Sequence, residues 1–269
     1  MRKQLKGASV LAALLGAVPS ASAEPLPSVV DLESQIGSDP ITVKVIEPHL
    51  SSAENHTIVE YLGYRAEDVL SIALGQEWRQ QGRAVEFRAL DGYVSRIEAA
   101  QFEPGKAFVV FARADRADFV VDNILQNERD VPLGPYYLVW DNISDPTLLA
   151  KGAGIWPYQI NEVALAIVSE DALLPKGLAA PYRRGAELAK ANCLNCHHIN
   201  GYGGDKFGGD LAAITKNMAR GHFIGWVLDP TSIMSNTTMP ALTAQSSEAE
   251  RVQVATALYD YLSNLPEQP

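Results

Sequence analysis

The feature that most constrains this chain is the run Cys193-Leu194-Asn195-Cys196-His197, which holds both cysteines found in 269 residues and places a histidine directly after them. That spacing is the attachment pattern of a c-type haem. Two thiols three positions apart reach the two vinyl groups of one porphyrin edge and form thioethers. The next residue then falls beneath the iron and supplies a neutral imidazole nitrogen as axial ligand. A structural disulfide, a thioredoxin-like pair and half of a zinc site are the competing readings. A thioredoxin pair follows a strand, whereas residues 182–191 read as a helix. A zinc site needs further thiolates or paired histidines at ligand spacing, which the sequence lacks. The expectation is one haem c held by Cys193 and Cys196, with His197 on the iron and no disulfide.

The N-terminus bears on compartment. Arg2, Lys3 and Lys6 precede an apolar run over residues 8–18, and Ala21-Ser22-Ala23 has the small-x-small form of a secretory cleavage site. Residues 1–23 are therefore expected to be a signal peptide that sends the protein to the periplasm. The apolar run is too short for a permanent membrane anchor, and no other stretch is long enough.

Charge divides the remainder. Residues 24–177 carry 12 Lys+Arg against 24 Asp+Glu, while residues 178–269 carry 7 against 8. A basic groove for nucleic acid is absent. The acidity of the first part is a solubilising surface or a field that steers a basic partner. Two prolines and a glycine without clean periodicity mark a linker at 170–181. It separates an N-terminal extension (24–40) and a domain at 41–169 from a second domain at 182–269.

The C-terminal part reads as helix and loop. Ser247 and Glu250 form a capping box for a last helix whose apolar stripe is Val252, Ala255, Tyr259 and Leu262. Helices this short are marginal alone and are expected to need the porphyrin face for packing. With the haem motif, these residues resemble a class I cytochrome c over 178–269. The resemblance implies that Gly185 lets the first and last helices cross closely against Tyr259. Within Gly208-Gly209-Asp210-Leu211 it implies that the Gly209 carbonyl accepts a hydrogen bond from the His197 imidazole, although the family commonly has proline there. It also implies that Trp226 lies near a haem propionate. Candidates for the sixth iron ligand are Met218, Met234, Met239, His198 and His222. Met239-Pro240 resembles the family's distal loop and lies 42 residues after His197, so Met239 is the expected axial ligand. His198 adjoins the proximal ligand and cannot reach the opposite face.

Residues 41–168 read as mixed α and β. Residues 41–45 alternate as a strand, 57–64 suggest another, and 66–80 an amphipathic helix. Asp91-Gly92 is a hairpin turn between 84–90 and 93–97, and further strands are expected at 106–112, 136–140 and 160–167. The order, with Phe87-Arg88-Ala89-Leu90-Asp91-Gly92-Tyr93 and the later Gly134-Pro135-Tyr136-Tyr137-Leu138-Val139, is similar to the molybdopterin-binding domain of the sulfite oxidase family. In that family a cysteine thiolate binds molybdenum. Residues 24–192 contain no cysteine, so the resemblance implies a scaffold without the metal site, and no molybdenum is expected. His49 and His56, near Glu47 and Glu54, are expected to be solvated surface residues rather than a copper or zinc site. Trp140, Tyr136, Tyr137, Trp156 and Tyr158 are expected core, although a docking surface would use the same residues. Phosphate-binding glycine loops and nucleophile elbows are absent.

The expected fold class is thus an α+β N-terminal domain, with a mixed or antiparallel sheet and one or two helices, followed by an all-α class I cytochrome c domain. The expected function is periplasmic transfer of single electrons, with the N-terminal domain recognising a periplasmic redox protein or dehydrogenase. An electron carrier of this kind is not itself an enzyme. Alternatives are the cytochrome subunit of a molybdenum- or quinone-type dehydrogenase complex, and a haem-based sensor with an open sixth position.

Overall fold

A computed structural model describes residues 23–52, 54–115, 117–167, 173–174, 182–242 and 247–266. The proposed signal peptide, apart from Ala23, and most of the proposed linker lie outside the described residues. In chain order the elements are β1 (Glu24–Pro25), α1 (Val29–Ile36), β2 (Ile41–Ile46), β3 (Ile58–Arg65), α2 (Ala66–Leu74), β4 (Arg83–Ala89), β5 (Val94–Glu98), β6 (Ala107–Arg113), β7 (Val120–Asn123), β8 (Glu128–Pro132), β9 (Tyr137–Trp140) and β10 (Ile160–Ile167). The second part contributes α3 (Arg183–Asn192), β11 (His198–Ile199), β12 (Tyr202–Gly203), α4 (Leu211–Lys216), α5 (Arg220–Leu228), α6 (Pro230–Ile233) and α7 (Glu248–Asn264).

Two four-stranded antiparallel sheets make the N-terminal body, in the orders β1-β10-β4-β5 and β2-β3-β6-β9. The sequence pattern explains them. In β2, Val43 and Val45 turn inward while Thr42 and Lys44 stay exposed, the period-two pattern of a half-buried strand. Arg88 pairs with Val94 across the Asp91-Gly92 turn, and Gly92 takes the left-handed φ of 87° that this turn requires. Between the sheets lies a core of Val45, Tyr61, Phe87, Trp78, Tyr137 and Trp140. The aromatic segments are therefore core: Tyr137 and Trp140 are fully buried, and Trp156 is 2% exposed.

The second cluster gathers Ala186, Ala189, Phe223, Leu258, Tyr261 and Leu262 from α3, α5 and α7. Ser247 and Glu250 do form the capping box of α7. Its inward face is shifted from the expected stripe: Ala255, Leu258, Tyr261 and Leu262 are buried, while Val252 is 38% exposed. The close crossing at Gly185 accordingly faces Tyr261, not Tyr259. A Cβ there would run into the Tyr261 side chain and lie 3.0 Å from the Ala257 carbonyl.

The expected fold class is corrected in both halves. The N-terminal part is not α+β with a single sheet but is dominated by antiparallel β structure, because α2 ends at Leu74 and Gln76–Arg79 continues only as a 3-10 turn. The C-terminal part is not an all-α class I cytochrome c domain. After the Cys193–His197 segment the chain reverses through Asn200 and Gly201, both at positive φ, and forms the antiparallel hairpin β11–β12. Taken whole, the described chain has four antiparallel sheets and seven α-helices, most of them towards the C-terminus. Neither the class I cytochrome c family nor the sulfite oxidase-type fold stands as an assignment for this architecture.

Candidate functional site

The loop that carries Cys193 and Cys196 is clasped by the Asp91-Gly92-Tyr93 turn. The amide of Val94 donates to the Asn195 carbonyl at 2.8 Å, and the amide of Asp205 donates to the Gly92 carbonyl at 2.8 Å. The Asn195 side-chain amide donates to Tyr93 Oη at 2.6 Å and to the Gly154 carbonyl at 3.2 Å. Lys206 Nζ pairs with Asp91 at 2.9 Å, and the Arg96 guanidinium lies 4.0 Å from the Tyr202 ring centroid. The approach is close enough that a Cβ on Gly92 would lie 2.9 Å from the Asp205 backbone. Main-chain bonds to Asn195 within the motif and from Asp205 beyond it fix its orientation on the β body.

Both cysteines are free and half-buried, and both line a cavity of about 190 Å³ between the motif and the sheets. Burial pushes the Cys193 thiol up to about 12, with the neighbouring Cys196 adding to it. Burial likewise pushes Cys196 up to about 11 against the opposing charge of Lys206. Both therefore remain thiols at neutral pH in the free polypeptide. Among the described residues no group of three or more His, Cys, Asp and Glu side chains is disposed to hold a metal ion.

His197 follows on the same loop, 5.4 Å from the Phe207 ring. Burial, and then the charge of His198, lowers its pKa, so the ring is neutral at pH 7. Its Nδ1 is sealed from solvent and has no hydrogen-bond partner among the described residues. The bond expected from the Gly209 carbonyl is not made, and Gly209 itself is exposed at a φ of 75°. His198 is turned aside towards Asp205, 3.4 Å away.

Trp226 and Met239 come together as a pair, because α5 carries the indole past the loop that returns to α7. The indole Nε1 donates to the Met239 thioether at 3.1 Å. Met239 is half-buried against the helical core, whereas Met234 is 48% exposed. Met218 packs into that core, and His222 stacks on Trp226 at 6.2 Å.

These residues can be tested against a c-type haem without reference to any relative. The two thiols, three positions apart and both lining one cavity, have the spacing that thioether formation to one porphyrin edge needs. His197 would offer Nε2 to an iron, while its Nδ1, the nitrogen for which the resemblance implies the Gly209 bond, has no partner among the described residues. The chain's donor set fits the group. No family model matches this chain, and no curated protein does.

The sequence missed a second constellation. Glu47 and His49, expected at the surface, are buried at 0% and 7% exposure, while Glu54 and His56 are exposed as expected. Glu47 accepts from His49 Nδ1 at 2.7 Å, from Tyr61 Oη at 2.7 Å and from Tyr137 Oη at 2.9 Å, and also from the amide of His49. Burial alone would raise the Glu47 pKa, but the bonds and charge of His49, with the Tyr61 hydroxyl, together hold it below the usual value. Burial and then the Glu47 charge drive the Tyr137 hydroxyl far above its ordinary range. The only available signal was the alternation of β2, which continued one step places residue 47 on the same inward face as Val43 and Val45.

Proposed function

We propose that this protein is an exported electron carrier that holds one haem c covalently through Cys193 and Cys196, with His197 and Met239 as axial ligands. The observation that carries the reading is the trio Cys193, Cys196 and His197, two protonated thiols and a neutral imidazole on a loop held rigid against the β body. When bound, the haem supplies a one-electron ferric–ferrous couple whose potential is set by the axial ligands and the surrounding dielectric. Everything else is the work of the chain. The thiols anchor one edge, His197 presents a neutral nitrogen, and the Trp226 N–H orients the Met239 sulfur. The bonds of Asn195 to Tyr93 and Gly154 keep the loop from moving as charge changes, which limits reorganisation.

The acid-rich β body supplies the partner selection in this reading. Its excess of carboxylates over residues 24–177 draws a redox partner with a basic patch, and that attraction is screened beyond roughly 10 Å at 0.1 M salt. Residues 1–23 direct export to the periplasm, where a redox protein or dehydrogenase is met. Acid-acetone extraction of the purified protein tests the haem assignment: the colour stays with the polypeptide, with one iron per chain and no molybdenum. Extractable colour, or a Cys193→Ala/Cys196→Ala double variant that keeps its colour, overturns it.

A further inference from the structure

We propose that the cavity between the Cys193–Cys196 loop and the sheets is a binding site for a small, uncharged aromatic molecule bearing a hydroxyl group, which hydrogen-bonds to His49 Nε2. The inference concerns the polypeptide alone and does not rest on the haem reading.

The hydrogen-bond network decides which nitrogen is available. Glu47, held ionised, is an acceptor only, so the 2.7 Å contact to His49 Nδ1 places the proton on Nδ1. Tyr61 and Tyr137 donate to the same carboxylate and lock it from the far side. The imidazole is further fixed edge-on to Tyr158, with ring centroids 5.5 Å apart. His49 lines the cavity, and among the described residues no partner is found for its Nε2. A buried imidazole with one nitrogen bonded to a carboxylate and the other left to a cavity is a preorganised hydrogen-bond partner for a hydroxyl group.

The walls define the rest of the ligand. Tyr93, Trp156 and Tyr158 line the cavity with aromatic surface, which favours a flat apolar body packed offset or edge-to-face. Its volume of about 190 Å³ suits one ring, since roughly 150 Å³ is enough for benzene in an apolar cavity. Charge argues for neutrality. The cation and the anion that line the cavity, Lys206 and Asp91, are paired with each other at 2.9 Å, and Glu47 sits behind the His49 ring with its oxygens occupied. A charged ligand of either sign would therefore lose its hydration without gaining an unpaired counter-charge.

Titration of the purified full-length protein with phenol, followed by calorimetry, tests this, with methoxybenzene as the probe that keeps the ring and loses the donor. Saturable phenol binding is expected, at least tenfold tighter than methoxybenzene, and His49→Phe is expected to remove that preference while His56→Ala leaves it intact. The methoxybenzene comparison needs no variant, so the proposal stays testable if His49→Phe does not fold. Equal affinity for the two probes, the absence of saturable binding, or an unchanged preference in folded His49→Phe overturns it. Repeating the titration on Cys193→Ala/Cys196→Ala separates this site from the haem assignment: phenol binding is expected there too. Binding that appears only in that double variant would mean that the group on the thiols fills the cavity, and would overturn the site in the mature protein.

Discussion

Two imidazoles flank the Cys193–Cys196 loop region, and they differ in one respect. His49 has its Nδ1 bound to a carboxylate that collects four donors in all. His197 has an Nδ1 equally shut off from water with nothing bound to it. The first network, around Glu47, is finished by the polypeptide itself, with each of the four donors given an acceptor. The second is left incomplete by the polypeptide. Buried polar groups in folded chains are nearly always paired, so an unpaired one beside two thiols marks a site that the polypeptide has not closed. The contrast separates a site that the chain can assemble alone from one that it only prepares.

The sharpest way to break that contrast is to remove the acceptor of the finished network. Glu47→Ala would leave the hydroxyls of Tyr61 and Tyr137 and the N–H of His49 facing one another without a base. Loss of one member of a buried, charge-assisted network costs about 3–5 kcal/mol, and a urea titration of the full chain should show a fall of that size. A change below about 1 kcal/mol would mean that water reaches Glu47 and that the network is not closed.

Acid should report the same feature. A carboxyl whose folded pKa is depressed contributes stability that is present above its unfolded value of about 4.3 and lost as pH falls through the lower folded value. Stability of the wild type should therefore decline below about pH 4, with part of the slope belonging to Glu47. Glu47→Gln should be less stable at pH 7 and show a shallower acid limb. An identical acid limb in both proteins would assign the decline to the exposed carboxylates, such as Asp115, which Arg113 holds down at about 2.

The same pair of sites shows what a sequence can and cannot disclose. The strands were readable wherever residues alternate, as at Val43 and Val45, and the Asp91-Gly92 turn announced its hairpin through the left-handed φ that glycine supplies. The thiols and His197 were readable because their chemistry depends on local spacing. Burial of Glu47 was not, since its partners Tyr61 and Tyr137 lie 14 and 90 positions away and meet it only when β2, β3 and β9 share a sheet. The polar neighbours at 51–56 pulled the reading towards solvent. The shift of the α7 face from Tyr259 to Tyr261 has a similar origin: both tyrosines suit a helix, and the close approach at Gly185 selects between them. The hairpin β11–β12 was missed because two-residue strands carry no periodicity.

A smaller effect should follow from trimming one donor. Tyr137→Phe keeps the ring contacts with Tyr61 and Trp156 and removes only the hydroxyl that shares Glu47 with His49. About 1–2 kcal/mol should be lost, the usual cost of one hydrogen bond to a charged group. Paired with Tyr61→Phe in a double-mutant cycle, the two losses should not add, because both hydroxyls serve one carboxylate. Strict additivity would show the two tyrosines to be independent and the network to be weaker than its geometry suggests.

The smallest effect belongs to the unfinished site. In the Cys193→Ala/Cys196→Ala background, where no group can be attached, His197→Ala removes an imidazole whose Nδ1 has no partner to lose. Truncation forfeits some packing against Phe207 but also relieves a buried polar atom of its unmet desolvation cost, which is about 1–3 kcal/mol for such groups. The two contributions oppose, so the urea midpoint followed by circular dichroism should move by less than about 0.5 kcal/mol in either direction. The same substitution in the protein with both thiols should instead change the visible spectrum, since there the ring has a ligand to hold. A loss of 2 kcal/mol or more in the thiol-free background would mean that His197 already has a partner within the polypeptide. The difference between the two imidazoles would then be one of geometry and not of completeness.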